Sequence, residues 1–388
     1  MNLSIKNKLI RTSTIATSLD YLLKGQLSFL KESYTVIAVS GENSHLQEVR
    51  DREGVQTISI EMQRNISLLK DIKSLWQLYW LFKKEKPLIV HSITPKAGLL
   101  TMISGYCAGV PIRIHTFTGL IFPSKTGFVK KLLIAMDKVL CYCATAIYPE
   151  GQGVKNDLIQ YKITNKPLKV IANGNVNGID MDYFNPILFS EEQNHLLKTS
   201  LQMTPDDFVF IFVGRLVGDK GINELITAFH KLSSEIEHVK LLLVGSFESD
   251  LDPLLPETMQ EIEANANIRF VGFQKDVRPY LGISDCSVLP SYREGFPNVV
   301  MQAGAMGLPN IVTNINGCNE IIMEGKNGII IPVKDSDAIC SAMKIMIENN
   351  TLRTCLQQNS RSMIMSRYEQ HIVWDAILAE YQRLEQHV

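Results

Sequence analysis

The stretch DDFVFIFVGRLVGDKGI, residues Asp206–Ile222, decides how the second half of this chain folds. Two aspartates precede seven residues, Phe208–Gly214, that are apolar until the closing glycine, as expected for a strand buried on both faces. A loop with Arg215, Lys220 and, counting Gly214, three glycines follows. Beyond it Ile222, Leu225, Ile226, Phe229 and Leu232 recur at helical spacing. Strand, glycine loop and helix make half of a βαβ unit, and the unit repeats downstream. Leu241–Val244, Ile268–Val271, Ser287–Leu289, Ile311–Thr313 and Ile329–Ile331 read as further strands with helical spacers.

The same alternation runs through the first half. Leu9–Ile10, Val36–Val39, Leu88–Val90, Ile112–His115, Ala146–Tyr148 and Lys169–Ala172 read as strands. Ile66–Lys84 reads as a helix whose Leu68, Ile72, Leu75, Tyr79 and Phe82 share a face, and Pro87 ends it. The polar, aperiodic stretch Asn185–Pro205 marks the junction. The expectation is an α/β protein of two doubly wound domains facing across a cleft. One spans residues 1–185 and takes back a terminal helix, 369–388; the other spans 186–368.

Composition narrows the function classes. The chain of 388 residues is 45% hydrophobic and carries a net charge of −1. It is long enough for two cores and has no basic field for nucleic acid. Seven scattered cysteines, at 107, 141, 143, 286, 318, 340 and 355, show no metal-site or disulfide spacing and read as buried free thiols. No dense Asp/His cluster suggests a metal. The N-terminus lacks an apolar run before a cleavage site, and Ala97–Ile112 is interrupted by glycines and a proline, so a cytoplasmic location is expected. The first strand runs into RTSTIATSLD, without the GxGxxG of a nicotinamide dehydrogenase.

Two segments carry chemistry. In VGRLVGDKGI, Val213–Ile222, Gly214 allows close backbone approach, and the helix start offers unpaired N–H groups beside Arg215 and Lys220. Charge-assisted bonds are about twice as strong as neutral ones, so this is a seat for a diphosphate. A solvated loop with two ordinary cations is the alternative. In PSYREGFPNVVMQAGAMGLP, Pro290–Pro309, a second turn opens a helix near Asn298, with Pro297 at its beginning. The amides of Phe296–Val299 would again face an anion. Glu294 beside them calls for a reason, since like charges repel; hydrogen bonding to sugar hydroxyls supplies one, and capping a surface loop is the alternative.

Taken with INGCNEI (Ile315–Ile321), NGIIIPVKD (Asn327–Asp335), IVHSITPKAGLL (Ile89–Leu100) and VIANGNVNGID (Val170–Asp180), these segments resemble the family 4 glycosyltransferases of the GT-B fold over nearly the full chain. The nearest likeness is to enzymes that build bacterial capsular and other surface polysaccharides. The resemblance implies a retaining, metal-independent transfer of a hexose or N-acetylhexosamine from a nucleotide donor, with UDP expected. The acceptor would be a hydroxyl of a glycan or a polyprenyl-diphosphate-linked glycan at the inner face of the membrane. No cofactor is implied beyond the donor itself.

It also implies roles. Arg215 and Lys220 neutralise the diphosphate, Glu294 sits against the donor sugar, and Gly214, Gly295, Phe296, Pro297, Asn298 and Val299 form the loop around sugar and phosphates. Gln302 stands where the family has a second glutamate on the ribose; an amide still accepts but loses charge assistance, worth roughly 1 kcal/mol. Thr118-Gly119 replaces a His-Gly pair, leaving Thr118 a hydrogen-bonding role near the sugar. His115 falls on the opposite strand face and reads as structural, as does His91. Glu320 either faces the cleft or caps a helix start. Lys96 and Arg64 either meet an acceptor phosphate or are surface charges. Lys130, Lys131 and Lys138 lie on an amphipathic helix; core packing with a basic edge is the simpler reading, membrane-surface contact the sharper. A nucleotide-sugar epimerase and a non-catalytic sugar-nucleotide binding protein remain as rival readings.

Overall fold

A computed structural model describes residues 6–41, 44–63, 67–248 and 252–388. The chain divides into two units: one runs to Gly178 and takes back Gln370–Val388, the other is Ile179–Glu369. In the first, strands β1 (Lys8–Ile15), β2 (Thr35–Gly41), β3 (Gln56–Ser59), β4 (Ile89–Ser92), β5 (Ile112–Phe117) and β6 (Ala146–Pro149) form one parallel sheet. Its order is β3-β2-β1-β4-β5-β6. In the second, β7 (Phe208–Val213), β8 (Val239–Val244), β9 (Ile268–Phe270), β10 (Cys286–Leu289), β11 (Asn310–Thr313) and β12 (Gly328–Ile331) are ordered β12-β11-β10-β7-β8-β9. The two sheets share one doubly wound topology: the first strand of each lies centrally, between the second and the fourth.

In the second unit β7 is buried along Val209–Phe212, and Ile222, Leu225, Ile226, Phe229 and Leu232 all face one continuous core, as their spacing predicts. The first unit has a core on each side of its sheet. The helix Gln370–Glu385 seals one of them with Val373, Trp374, Ile377 and Tyr381.

Four sequence expectations change. The unit boundary falls at Gly178/Ile179, not at 185/186. Asn185–Pro205 belongs to the second unit, because Ser190 caps a surface helix there, Glu191–Ser200, through a reciprocal capping box with Gln193. The two crossings between units run side by side, with the Ile179 amide donating to the Tyr368 carbonyl at 2.7 Å. Lys169–Ala172 is no strand. Only Leu168 bridges to the edge strand β6, and the chain then turns through Ala172, whose φ of 50° lies outside the β region. The helix expected from Ile66 is described from Leu68 to Glu85, and it turns Ser74, Leu78 and Phe82 inward rather than Leu68 and Ile72. The seven cysteines are free, but Cys107 and Cys355 are exposed.

Candidate active site

β7 and β10 are neighbours whose chains leave in opposite directions across the sheet, and both charged glycine loops leave their carboxyl ends. That is the switch point where doubly wound sheets bind ligands. The loops are fused by close backbone approach. Gly221 has φ 71°, and a Cβ there would fall 2.1 Å from the Pro290 carbonyl oxygen. Gly317, in the loop after β11, has φ 74°, and its Cβ would fall 2.4 Å from the carbonyl oxygen of Gly295. Only glycine fits either position.

Side chains tie the same seam. The Tyr292 amide donates to the Asp219 carbonyl at 2.9 Å, and Arg293 pairs with the Asp219 carboxylate, also at 2.9 Å. The Thr313 hydroxyl donates to the Ser291 carbonyl at 2.5 Å. Asp252 accepts the Asp219 amide at 2.6 Å, and the Tyr292 hydroxyl donates to Glu224 at 2.5 Å. None of these partners carried a local sequence signal, because each contact joins residues 22 to 74 positions apart.

Within this frame the structure brings Lys220 and Glu294 together: the ammonium donates directly to the carboxylate, and both side chains are mostly buried. Ser291, which the sequence reading passed over, donates its hydroxyl to the same carboxylate oxygen at 2.9 Å. Its place three residues before Glu294, in the same turn, was the available signal. Arg215 leaves the end of β7 beside Gly214 but turns to Glu248, at 2.6 Å, with half its side chain in solvent.

Phe296 is buried, its ring edge-on to Tyr368 at 5.5 Å. Its side chain anchors the turn, and only its backbone can serve a ligand. The helices Ile222–Glu235 and Asn298–Ala305 start after Gly221 and Pro297, neither of which has a capping side chain. A helix start without a side-chain cap is one that an anion can complete. Asn298 and Val299 open the second of these helices, half-buried. Gln302, one turn on, is half-buried, and its side-chain amide has no hydrogen-bond partner among the described residues. The Glu320 carboxylate accepts from the Gly317 amide at 3.3 Å, which is the helix-start role.

The remaining candidates lie in the first unit. The Thr118 hydroxyl donates to the Ile93 carbonyl at 3.0 Å, and Gly119 follows with φ 124°. His91 lies between the Tyr381 hydroxyl, at 2.5 Å, and that of Thr116, at 2.8 Å. His115 meets the Ser92 hydroxyl at 2.8 Å. Burial pushes the His91 imidazole well below its ordinary range, with Arg11 adding to the effect, and pushes His115 down to about 3. Both are neutral, structural histidines. Lys96 is neither a surface charge nor open to a phosphate: it is buried and grips both oxygens of Asp71 at 2.7 Å. Arg64 lies outside the described residues.

Asp20, His45 and Glu48 are the one group among the described residues close enough to share an ion. Asp20 is already held there by Arg52 and by His45 Nδ1 at 2.7 Å, and burial, which opposes ionisation, is outweighed by these two partners. That arrangement is an ion-pair network.

The family described as glycosyl transferases group 1 matches residues 195–363, and glycosyl transferase 4-like matches residues 15–150. The chain is 32% identical over 376 residues to the capsular polysaccharide biosynthesis glycosyltransferase CapM of Staphylococcus aureus, covering 96% of each. It is 30% identical over 308 residues to the UDP-Gal:alpha-D-GlcNAc-diphosphoundecaprenol alpha-1,3-galactosyltransferase of Escherichia coli, covering 79% of this chain and 78% of that one. The crystal structure of Anabaena Alr3699/HepE in complex with UDP superposes with a TM-score of 0.81 at 17% identity, covering 98% of this chain and all of that one. That likeness is one of fold.

Proposed function

The chain belongs to the family 4 glycosyltransferases of the GT-B fold, and from that premise we propose its reaction. It transfers a hexose or N-acetylhexosamine from a UDP-linked donor to a hydroxyl of a diphosphate-polyprenol-linked glycan, in the synthesis of a surface polysaccharide. The transfer retains anomeric configuration and needs no resident metal. The observation that carries this reading is the Lys220–Glu294 pair at the seam of β7 and β10, flanked by two helix starts. The relatives' acceptors, named as diphosphoundecaprenol-linked sugars in Escherichia coli and Campylobacter jejuni, support the substrate class and a site of action at the inner membrane face.

In this reaction the bond from the sugar's anomeric carbon to the β-phosphate oxygen breaks, and its electron pair leaves with UDP. Lys220, Arg215 on release from Glu248, and the amides of the two helix starts stabilise the growing charge. Glu294, oriented by Lys220 and Ser291, accepts from the sugar's hydroxyls. Gln302 accepts from the ribose. The acceptor oxygen bonds to the anomeric carbon on the face UDP leaves, and its proton passes to the departing phosphate. No protein nucleophile is required.

The test is a panel of nucleotide-sugars offered to the purified protein with lipid-linked acceptors, with and without a chelator. Product glycolipid and free UDP in equal amounts, unaffected by chelation, are the expected result. A converted nucleotide-sugar with no acceptor product would make the protein an epimerase, and binding without turnover would make it a sugar-nucleotide binding protein.

A further inference from the structure

The helix Leu68–Glu85 has two apolar stripes, and the fold uses only one. Leu78 and Phe82 enter the core, while Leu68, Ile72, Trp76 and Trp80, each four residues from the last, are 75%, 55%, 62% and 54% exposed. Side chains at that spacing share one face, so the exposure is a continuous strip about 18 Å long at 1.5 Å per residue. Leaving such a strip in water is unfavourable and marks an interaction surface.

Charge identifies the occupant. Lys70, Lys73, Lys83 and Lys84 are exposed on this helix. Its two acids are spent elsewhere: Asp71 pairs with the buried Lys96 at 2.7 Å, and Glu85 with Lys8 at 2.8 Å. What faces outward is therefore tryptophan, aliphatic and cationic. The helix Gly127–Cys143, on the same side of the sheet, adds exposed Phe128 and Leu132 beside Lys130 and Lys131. Among the described residues no helix is long and apolar enough to cross a membrane, so a helix of this kind lies in the interface plane.

We propose that the outward face of the Leu68–Glu85 helix docks on an anionic phospholipid bilayer, with Trp76 and Trp80 at the headgroup level and the four lysines on acidic headgroups. Tryptophan favours that depth, and basic residues near the surface add attraction to acidic lipid. The inference rests on the lipid-linked acceptor reading for its purpose, though not for its physics. A second copy of the chain fits the strip less well, because a twofold contact would set the same lysines against each other.

The chain has three tryptophans. The third, Trp374, is buried and donates to Asn177 at 2.8 Å. Emission changes on docking therefore report Trp76 and Trp80. Phosphatidylglycerol–phosphatidylcholine vesicles should shift the full chain's emission to the blue, and brominated lipid should quench it. The Trp76→Phe/Trp80→Phe protein should bind without the shift. Changing Lys70, Lys73, Lys83 and Lys84 to glutamine should weaken binding at least about tenfold. An unshifted spectrum, or equal binding to pure phosphatidylcholine, overturns the proposal. So does a dimer that dissociates when Trp76 and Trp80 are changed to serine. Transfer to a short-chain soluble acceptor, measured on the same proteins, separates the two readings: lost docking with intact transfer sinks only this one, and docking without transfer sinks only the other.

Discussion

The two units share a topology and differ in what they bury along it. The central strand of the second unit packs Val209, Phe210, Ile211 and Phe212. The corresponding strand of the first, β1, buries Arg11, Thr12 and Ser13, and the two strands next on one side, β4 and β5, add His91, Ser92 and His115. A buried polar group without a partner costs about 1–3 kcal/mol, so the first unit must satisfy a network at its sheet's centre where the second unit's central strand needs only to exclude water. It does so with the terminal helix. Tyr381 accepts from Arg11 at 2.7 Å and bonds His91, and Glu380 accepts from Tyr148 at 2.7 Å. Glu380 is held ionised, down to about 2, because Arg383, Lys169 and Tyr148 outweigh the burial that opposes its charge. The second unit keeps its charges for the strand ends, where Lys220 and Glu294 meet. One topology thus supports either an apolar core with a charged rim or a polar core closed by a returning segment.

The sharpest way to break this contrast is Lys220→Ala. If the rim serves chemistry, turnover should fall by about two orders of magnitude or more while thermal unfolding moves little. Steady-state kinetics beside calorimetry checks it, and the reverse pattern would make the pair structural. Gly221→Ala attacks the seam itself. At this left-handed cap alanine is already strained, and its Cβ would also meet the Pro290 carbonyl, so we expect about 2–4 kcal/mol of destabilisation in urea unfolding.

The polar core should show in acid. His115 has a folded value near 3 against an ordinary 6.5, so the folded state binds fewer protons than the unfolded one between those limits. Stability therefore falls as pH drops through that window, by about 2–3 kcal/mol at pH 4.5 from this group. Trp374 emission in the first unit follows the loss, and His115→Gln should flatten it. The smallest effect belongs to Gln302→Glu. Restoring a charge-assisted bond to the ribose should lower the donor KM about three- to fivefold with kcat unchanged. An unaltered KM would remove Gln302 from the donor site.

How much was legible follows the same divide. The second unit's strands and its helix face at Ile222–Leu232 could be read because buried runs, glycine loops and helix starts are local signals. That Lys220 and Glu294 serve one site came from the family resemblance, and their direct pairing, across 74 positions, carried no local signal. Arg215's partner could not, since Glu248 lies 33 residues away. In the first unit the histidines read as structural, and both are buried and hydrogen-bonded, but His91's partner on the last helix, Tyr381, lies 290 positions off. The Leu68–Glu85 helix misled for a different reason. With apolar residues on two faces, periodicity finds a helix without saying which stripe faces the sheet; packing against β-strands chose Leu78 and Phe82. Polarity misplaced the junction as well, because a capped surface helix and a linker share the same composition.

The return of Gln370–Glu385 into the first unit sets an order of assembly. A ribosome finishes every residue of the second unit before it makes the helix that closes the first. Domains usually consolidate in the order they emerge. Here the earlier-made unit waits, with Arg11 and His91 lacking Tyr381, until that helix is made. Nascent chains should stay open to protease and to chaperones over their first 178 residues, while the later-made half is already protected.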